Sequence, residues 1–152
     1  MLIIKNTLKA TILIVIIAVL TACSRDPIDT TEFQSIMTDE NFDVIDATYQ
    51  LDEVDIVLVL LAMSETYQIQ LTEFTTISAA DDSFLYFRDY AENVLRNGND
   101  TLRSSDGSNF SSYSLTTSDV YFNLLRIDNI VILTEAPSEY RDEIRDVMGL
   151  LN

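Results

Sequence analysis

The residues able to do chemistry in this chain are almost all carboxylates. Asp52, Glu53 and Asp55 crowd one turn and carry the donor set for a cation, and Asp81 and Asp82 stand side by side as a candidate acid pair. Asp100, Asp106 and Asp119 flank a polar stretch, off the D-x-[DN]-x-[DN]-G spacing of a calcium loop. Each cluster also has a plainer explanation. The first is a solvated turn, the second places negative charge at a helix start, and Asp106-Gly107 reads as a turn. Two carboxylates are enough to cleave a glycosidic bond when a cleft holds them roughly 5–9.5 Å apart, but Trp, the usual sugar-stacking platform, is absent. His is absent too, which removes His triads, His general bases and His metal ligands. No Gly-rich phosphate loop, G-x-S-x-G, S-x-x-K or H-E-x-x-H is present. No catalytic, metal-binding or cofactor-binding residue is assigned, and the balance leans away from an enzyme.

One thiol stands apart. Cys23 is the single cysteine of the 152 residues. Before it come Lys5 and Lys9, the apolar run Ala10 to Leu20, and the small residues Thr21-Ala22. A charged start, a short apolar stretch and a small-residue end are the parts of an export signal. The run is shorter than the roughly 20 residues that a membrane span needs.

Leu20-Thr21-Ala22-Cys23 resembles the lipobox of bacterial lipoproteins at all four positions. The resemblance implies diacylglyceryl transfer to Cys23 and cleavage before it. Residues 1–22 would then be a lipoprotein signal peptide, residues 23–30 the lipidated cysteine and a short tether, and residues 31–152 a single α+β domain. Two or more acyl chains hold a protein stably on a bilayer, at ~0.8 kcal/mol per buried CH₂. The expected address is the outer, extracytoplasmic face of the cell membrane. A free thiol in an oxidising compartment would need another explanation, and lipidation supplies one.

Removing residues 1–22 takes away both lysines and leaves seven arginines against 25 acidic side chains, a formal charge of −18. Such a charge repels phosphate backbones and anionic headgroups, which argues against nucleic acid as a partner. Solubility accounts for it; a cationic partner or weak surface calcium binding is the sharper alternative.

The elements follow from periodicity. Thr31 and Gln34 form a capping box for a helix over 31–39, with Phe33, Ile36 and Met37 on its apolar face. Alternation predicts strands over 44–51 and from Tyr67 to Thr72, and the apolar run 54–63 reads as a central strand joined to the next by a hairpin at Ser64-Glu65-Thr66. Ser78 is read as the cap of a long helix whose stripe is Ala80, Phe84, Phe87, Ala91 and Val94, ending near Gly98. Residues 99–109 read as a polar loop, either a surface connection or a functional segment. Strands follow over 110–117, 120–127 and 130–135, the last two joined by a tight turn at Asp128-Asn129. In the first of these, Phe110, Ser112 and Ser114 share one face and Tyr113 and Leu115 the other. A final helix opens at Pro137-Ser138, with Tyr140, Ile144, Val147 and Leu151 as its stripe. The expected order is α-βββ-α-βββ-α, a βββα pattern met twice. It folds as a two-layer sandwich with helices on one face of an antiparallel sheet.

Three stretches, TEFQSIMTDENFDVIDAT, AADDSFLYFRDYAENV and RIDNIVILTEAPSEYRDEIRDVMGLL, resemble small, mostly uncharacterised lipoproteins of Gram-positive-type bacteria. That resemblance implies a cell-surface location and brings no catalytic residues. The functional expectation is a membrane-anchored, non-catalytic binding or envelope-interaction module whose partner is an envelope protein or ligand. The alternatives are a carboxylate-dependent enzyme acting on cell-wall glycan and a carrier of a small ligand held in an apolar gap between sheet and helices.

Overall fold

Strands that are apolar on both sides decide the layering. The computed structural model describes residues 24–50 and 54–151; Cys23, with the segment expected to be a signal peptide, and Asp52 and Glu53 lie outside the described residues. The elements are α1 (Thr30–Asp39), β1 (Asp43–Asp46), β2 (Ile56–Met63), β3 (Gln68–Phe74), α2 (Ile77–Tyr90, continued by a π-helical turn over Ala91–Leu95), β4 (Thr101–Asp106), β5 (Phe110–Thr116), β6 (Val120–Ile127), β7 (Ile130–Pro137) and α3 (Arg141–Gly149). The strands form one antiparallel sheet of seven, in the order β1-β2-β3-β7-β6-β5-β4. The expected α+β class is therefore observed. Two meanders meet where β3 pairs with β7, from Gln70 opposite Leu133 to Glu73 opposite Ile130. Between them α2 carries the chain from β3 to the far edge, so the second meander runs back toward the first.

Successive side chains of a strand point to opposite faces. In β6, Tyr121, Leu125 and Ile127 join one core with Phe33 and Met37 of α1 and Ile144, Val147 and Met148 of α3. Phe122 and Leu124 join a second core with Ala80, Phe84 and Ala91 of the α2 segment. Helices thus cover both faces, correcting the expected two-layer arrangement with helices on one side. The reason is in β6 and β7, which are apolar on both faces and would leave one of them wet under a single layer of helices.

The order is corrected as well. The second meander has four strands, because residues 101–106 of the expected loop form β4, from Thr101 opposite Thr116 to Asp106 opposite Ser111. All six residues of β4 are exposed and only Leu102 is apolar, so no alternation marks the strand. Backbone pairing with the outer edge of β5 makes it. The halves are therefore not equal repeats.

Other departures are local. Asp29, not Thr31, caps α1, its side chain accepting from the Thr31 N–H. Thr76, not Ser78, caps α2, accepting from the Ala79 N–H. The first strand stops at Asp46, and Thr48–Gln50 is a 3-10 turn. The π turn adds a residue to the helical repeat, so the α2 stripe passes from Ala91 to Leu95 and leaves Val94 63% exposed. Past the end of α1, Asn41 takes a φ of 67°. Its N–H and that of Phe42 bond Thr38 and Met37 carbonyls, and Phe42 packs into the same core as Met37. This is a Schellman-type stop.

Candidate functional site

The face carrying α1 and α3 is not covered to its edge. Beyond the helices its residues turn polar in three rows across β4, β5 and β6. Thr101, Thr116 and Tyr121 form one row; Arg103, Ser114 and Asn123 the next; Ser105, Ser112 and Leu125 the third. Residues opposite each other in an antiparallel sheet share a face, with Cβ atoms ~5 Å apart. α3 walls this shelf with Arg141, Arg145, Met148 and Gly149, and Arg25 closes another side. The result is a groove of about 400 Å³, continued past Arg103 and Arg145 by a recess of about 120 Å³.

Charge sets this groove apart. Residues 23–152 hold 25 acids and seven arginines, more than three carboxylates per arginine. Yet Arg25, Arg103, Arg141 and Arg145 line the groove and its recess, and among the described residues no Asp or Glu does. Asp142, on the outer side of α3, is 3.0 Å from Arg141 and 3.8 Å from Arg145. That contact holds the Asp142 carboxyl below its ordinary range. Arg103 forms no ion pair among the described residues. Tyr121 stands amid these cations: burial pushes its phenol up, and the hydrogen bond from Asn123 (3.0 Å) and the charges of Arg145, Arg141 and Arg103 pull it back.

Arg25 is placed by a polar hub at Asn109. The Arg25 N–H donates to Asn109 Oδ1 at 3.0 Å, and Asn109 Nδ2 donates to the Arg25 carbonyl at 2.9 Å and to Asp128 at 3.3 Å. The guanidinium lies 4.5 Å from the centre of the Phe110 ring, and burial lowers its pKa. The Asn109 carbonyl accepts from the buried Arg126 at 3.2 Å. Arg126 also donates to the Asp128 carbonyl and to Ser111, and its Nε lies 2.7 Å from Asp81. That Nε has no hydrogen bond of good geometry, so the Asp81 contact is one of charge. Ile28 is buried beside Phe33 and Leu151. The segment expected as a tether is therefore seated on the domain from Arg25 onward.

The clusters singled out in the sequence lie elsewhere. Asp81 pairs with Arg126, and Asp82 is separately exposed. Asp100 pairs with Arg96 at 2.6 Å, a contact that lowers its pKa. Asp106 sits at the opposite end of β4, and Asp119 lies in the β5–β6 turn beside Ser118. Three depressions bring carboxylates together: Asp55 with Asp82, Glu92 with Asp106, and Asp26 with Glu32. All six side chains are exposed, whereas a general acid needs an environment that raises its pKa. The first depression, about 580 Å³ between α2 and β2–β3, also has Ile56, Phe74, Tyr86 and Phe87 on its walls. Gln70, Thr72 and Ser83 line it as well, so its walls are mixed where the expected gap was apolar. Among the described residues no helix is long and apolar enough to cross a membrane.

Sequence reasoning missed the groove because its arginines are scattered over the chain and β4 was unrecognised. One signal was available: the Ser112 and Ser114 face of β5 is polar, unlike the apolar Tyr113 and Leu115 face. No family model, no curated protein and no solved structure matches this chain.

Proposed function

We propose that this protein is a lipid-anchored, extracytoplasmic binding module that holds an anionic ligand in the arginine-lined groove. Acylation of Cys23 provides the anchor, and the non-catalytic groove provides the function. The observation that supports it is the gathering of four arginines around one concavity in a chain otherwise dominated by carboxylates. Guanidinium forks match carboxylate and phosphate geometry, and the serine and threonine rows add neutral donors and acceptors.

Two measurements test the two parts. Cys23→Ser should release the product from the membrane or leave it misprocessed; a protein still membrane-bound and normally trimmed would end the anchor reading. Small anions (acetate, succinate, sulfate, phosphate) should raise the thermal midpoint of the full-length protein more than that of Arg103→Gln or Arg145→Gln, since a ligand that binds only the folded state stabilises it. Equal shifts in all three proteins would remove the groove from the account.

A second reading, a carrier of a small apolar ligand, is favoured by the 580 Å³ depression under α2. An environment-sensitive fatty-acid probe should then bind, and Ile56→Trp should displace it; no binding to the wild type would dismiss that reading.

A further inference from the structure

We infer that the groove takes a phosphate ester of a small polyol, with the phosphate held among Arg103, Arg141 and Arg145 and the hydroxyls on the Ser105, Ser112 and Ser114 rows. This rests on the anchored, anion-binding reading above and names the ligand class.

The donor count comes first. One carboxylate is satisfied by a single guanidinium fork. A phosphate monoester carries about −1.5 to −2 charges and three strong acceptor oxygens, which is what cations on the floor and one wall of a groove can satisfy. Arg103 stands on the floor, and Arg141 and Arg145 stand one helical turn apart on the wall. Like charges at that spacing repel, and Asp142 reaches them only from outside the groove. An anion inside relieves the rest.

The hydroxyl rows specify what the phosphate is attached to. Ser112 Oγ already donates to the Ser105 carbonyl at 3.3 Å. Ser105 and Ser114 keep their hydroxyls uncommitted among the described residues and can both donate and accept, as a polyol requires. Leu125 and Met148 leave an apolar strip for the carbon chain. A volume of about 400 Å³ lies in the small-ligand range of roughly 300–1,000 Å³.

Net charge limits the ligand's length. At physiological salt the Debye length is about 8 Å, so a single phosphate in the groove feels its arginines before the distant acids. A long polyanion would run out over a surface carrying 18 net negative charges and be repelled. The groove therefore suits one phosphate group, and nucleic acid stays excluded.

Position narrows the source. Arg25 lines the groove and is pinned to Asn109. It is two residues from Cys23, a reach of at most ~7 Å. With Cys23 acylated, the groove opens at headgroup level, where a glycerophosphate headgroup offers the phosphate and polyol as a diester with a single charge; a free polyol phosphate offers them as the monoester, with the fuller charge that three arginines match.

The test uses full-length lipidated protein. Calorimetry in neutral detergent compares glycerol phosphate, inorganic phosphate, acetate and glycerol. In a second arm, amide hydrogen exchange of β4 and β5 is compared in phosphatidylglycerol and phosphatidylcholine vesicles. Glycerol phosphate should bind at least ~10-fold more tightly than acetate or glycerol, and Arg103→Gln or Arg145→Gln should cost about 10-fold or more, as loss of a charge-assisted fork does. Arg88→Gln, an equal charge change outside the groove, should cost little. Slower exchange only on phosphatidylglycerol supports the headgroup as source; calorimetric binding without it supports a free ester. Acetate equal to glycerol phosphate would overturn the phosphate assignment while leaving an anion-binding module. Failure of every anion to bind would overturn both.

Discussion

Removing one side chain should free the segment that follows Cys23. Asn109→Ala deletes the two hydrogen bonds, 3.0 and 2.9 Å, that clamp both backbone polar groups of Arg25. It spares the Asn109 carbonyl and its bond from Arg126. A partly buried neutral hydrogen bond contributes about 1 kcal/mol net, so local opening at Arg25 should become easier by about 2 kcal/mol, roughly a 30-fold rise in the open population. The bond to Asp128, longer at 3.3 Å, adds at most about 1 kcal/mol to the global loss. Trypsin cleaves after arginine only when the chain fits its site, and cleavage of a transiently open segment follows the open population when closing is fast. Cleavage at Arg25-Asp26, followed by mass spectrometry, should accelerate about 30-fold relative to wild type under the same conditions. Cleavage at Arg126 should hardly change, because that residue is buried. A rise below about 3-fold with the fold intact would mean that Ile28 and the Phe110 stacking hold the segment, and the hub reasoning would be wrong.

Val94→Asp should change stability by no more than about 0.5 kcal/mol, whereas Leu95→Asp should cost about 2 kcal/mol or more, because the π turn exposes the first and packs the second; urea denaturation checks both, and the reverse ranking would show an ordinary helical repeat there. Tyr67 is buried and donates to Glu143 at 2.8 Å, and burial first, then that bond, raises its phenol above tyrosine's ordinary value. The fold thus favours the protonated phenol, so its stabilisation is complete below pH ~10 and is lost as pH rises beyond that value. Tyr67→Phe should be less stable at neutral pH and lose less on going to pH 11 in paired denaturation curves, and parallel curves would contradict this. Arg103→Glu should stabilise the unliganded protein by up to about 1 kcal/mol through attraction to Arg141 and Arg145, while abolishing anion binding; loss of stability would mean that the arginines do not crowd one another.

Legibility in the sequence followed the size of the apolar signal. The strand limits of β6 match the expected 120–127, and β5 differs by one residue, because β5 alternates about buried Tyr113 and Leu115 and β6 is a near-continuous run of buried side chains. The helix stripes were legible for the same reason, up to Ala91; the π turn beyond it obeys no sequence period. β4 was illegible because its cause is an open hydrogen-bonding edge on β5, which the residues 101–106 do not record in their own pattern. The layer count failed on one inference: a helix with a single apolar stripe says which of its own faces is buried, but not which face of the sheet it seeks. That information sat in β6 and β7, where Leu124 and Leu125 are adjacent and both buried. The caps were each displaced by two residues because Asp29 and Thr76 were equally competent and lay nearer the incoming chain.

The groove was invisible for a different reason, and that reason bears on what it is. Arg103, Arg141 and Arg145 lie on an edge strand and a terminal helix with no shared periodicity, so only the closing of the second meander brings them together. Nothing in folding demands it. The core of that face ends at Tyr121 and Leu125, and the shelf beyond could carry any soluble residue. In a chain this acidic, a shelf shaped by solubility alone would be lined with carboxylates, whose self-repulsion an exposed edge tolerates. Instead the carboxylates stop at its rim, with Asp142 turned outward, and the cations are held where they repel one another. Like charges gathered in this way should cost some stability in the empty protein and return it when a negative charge arrives, which is what the proposed anion site requires.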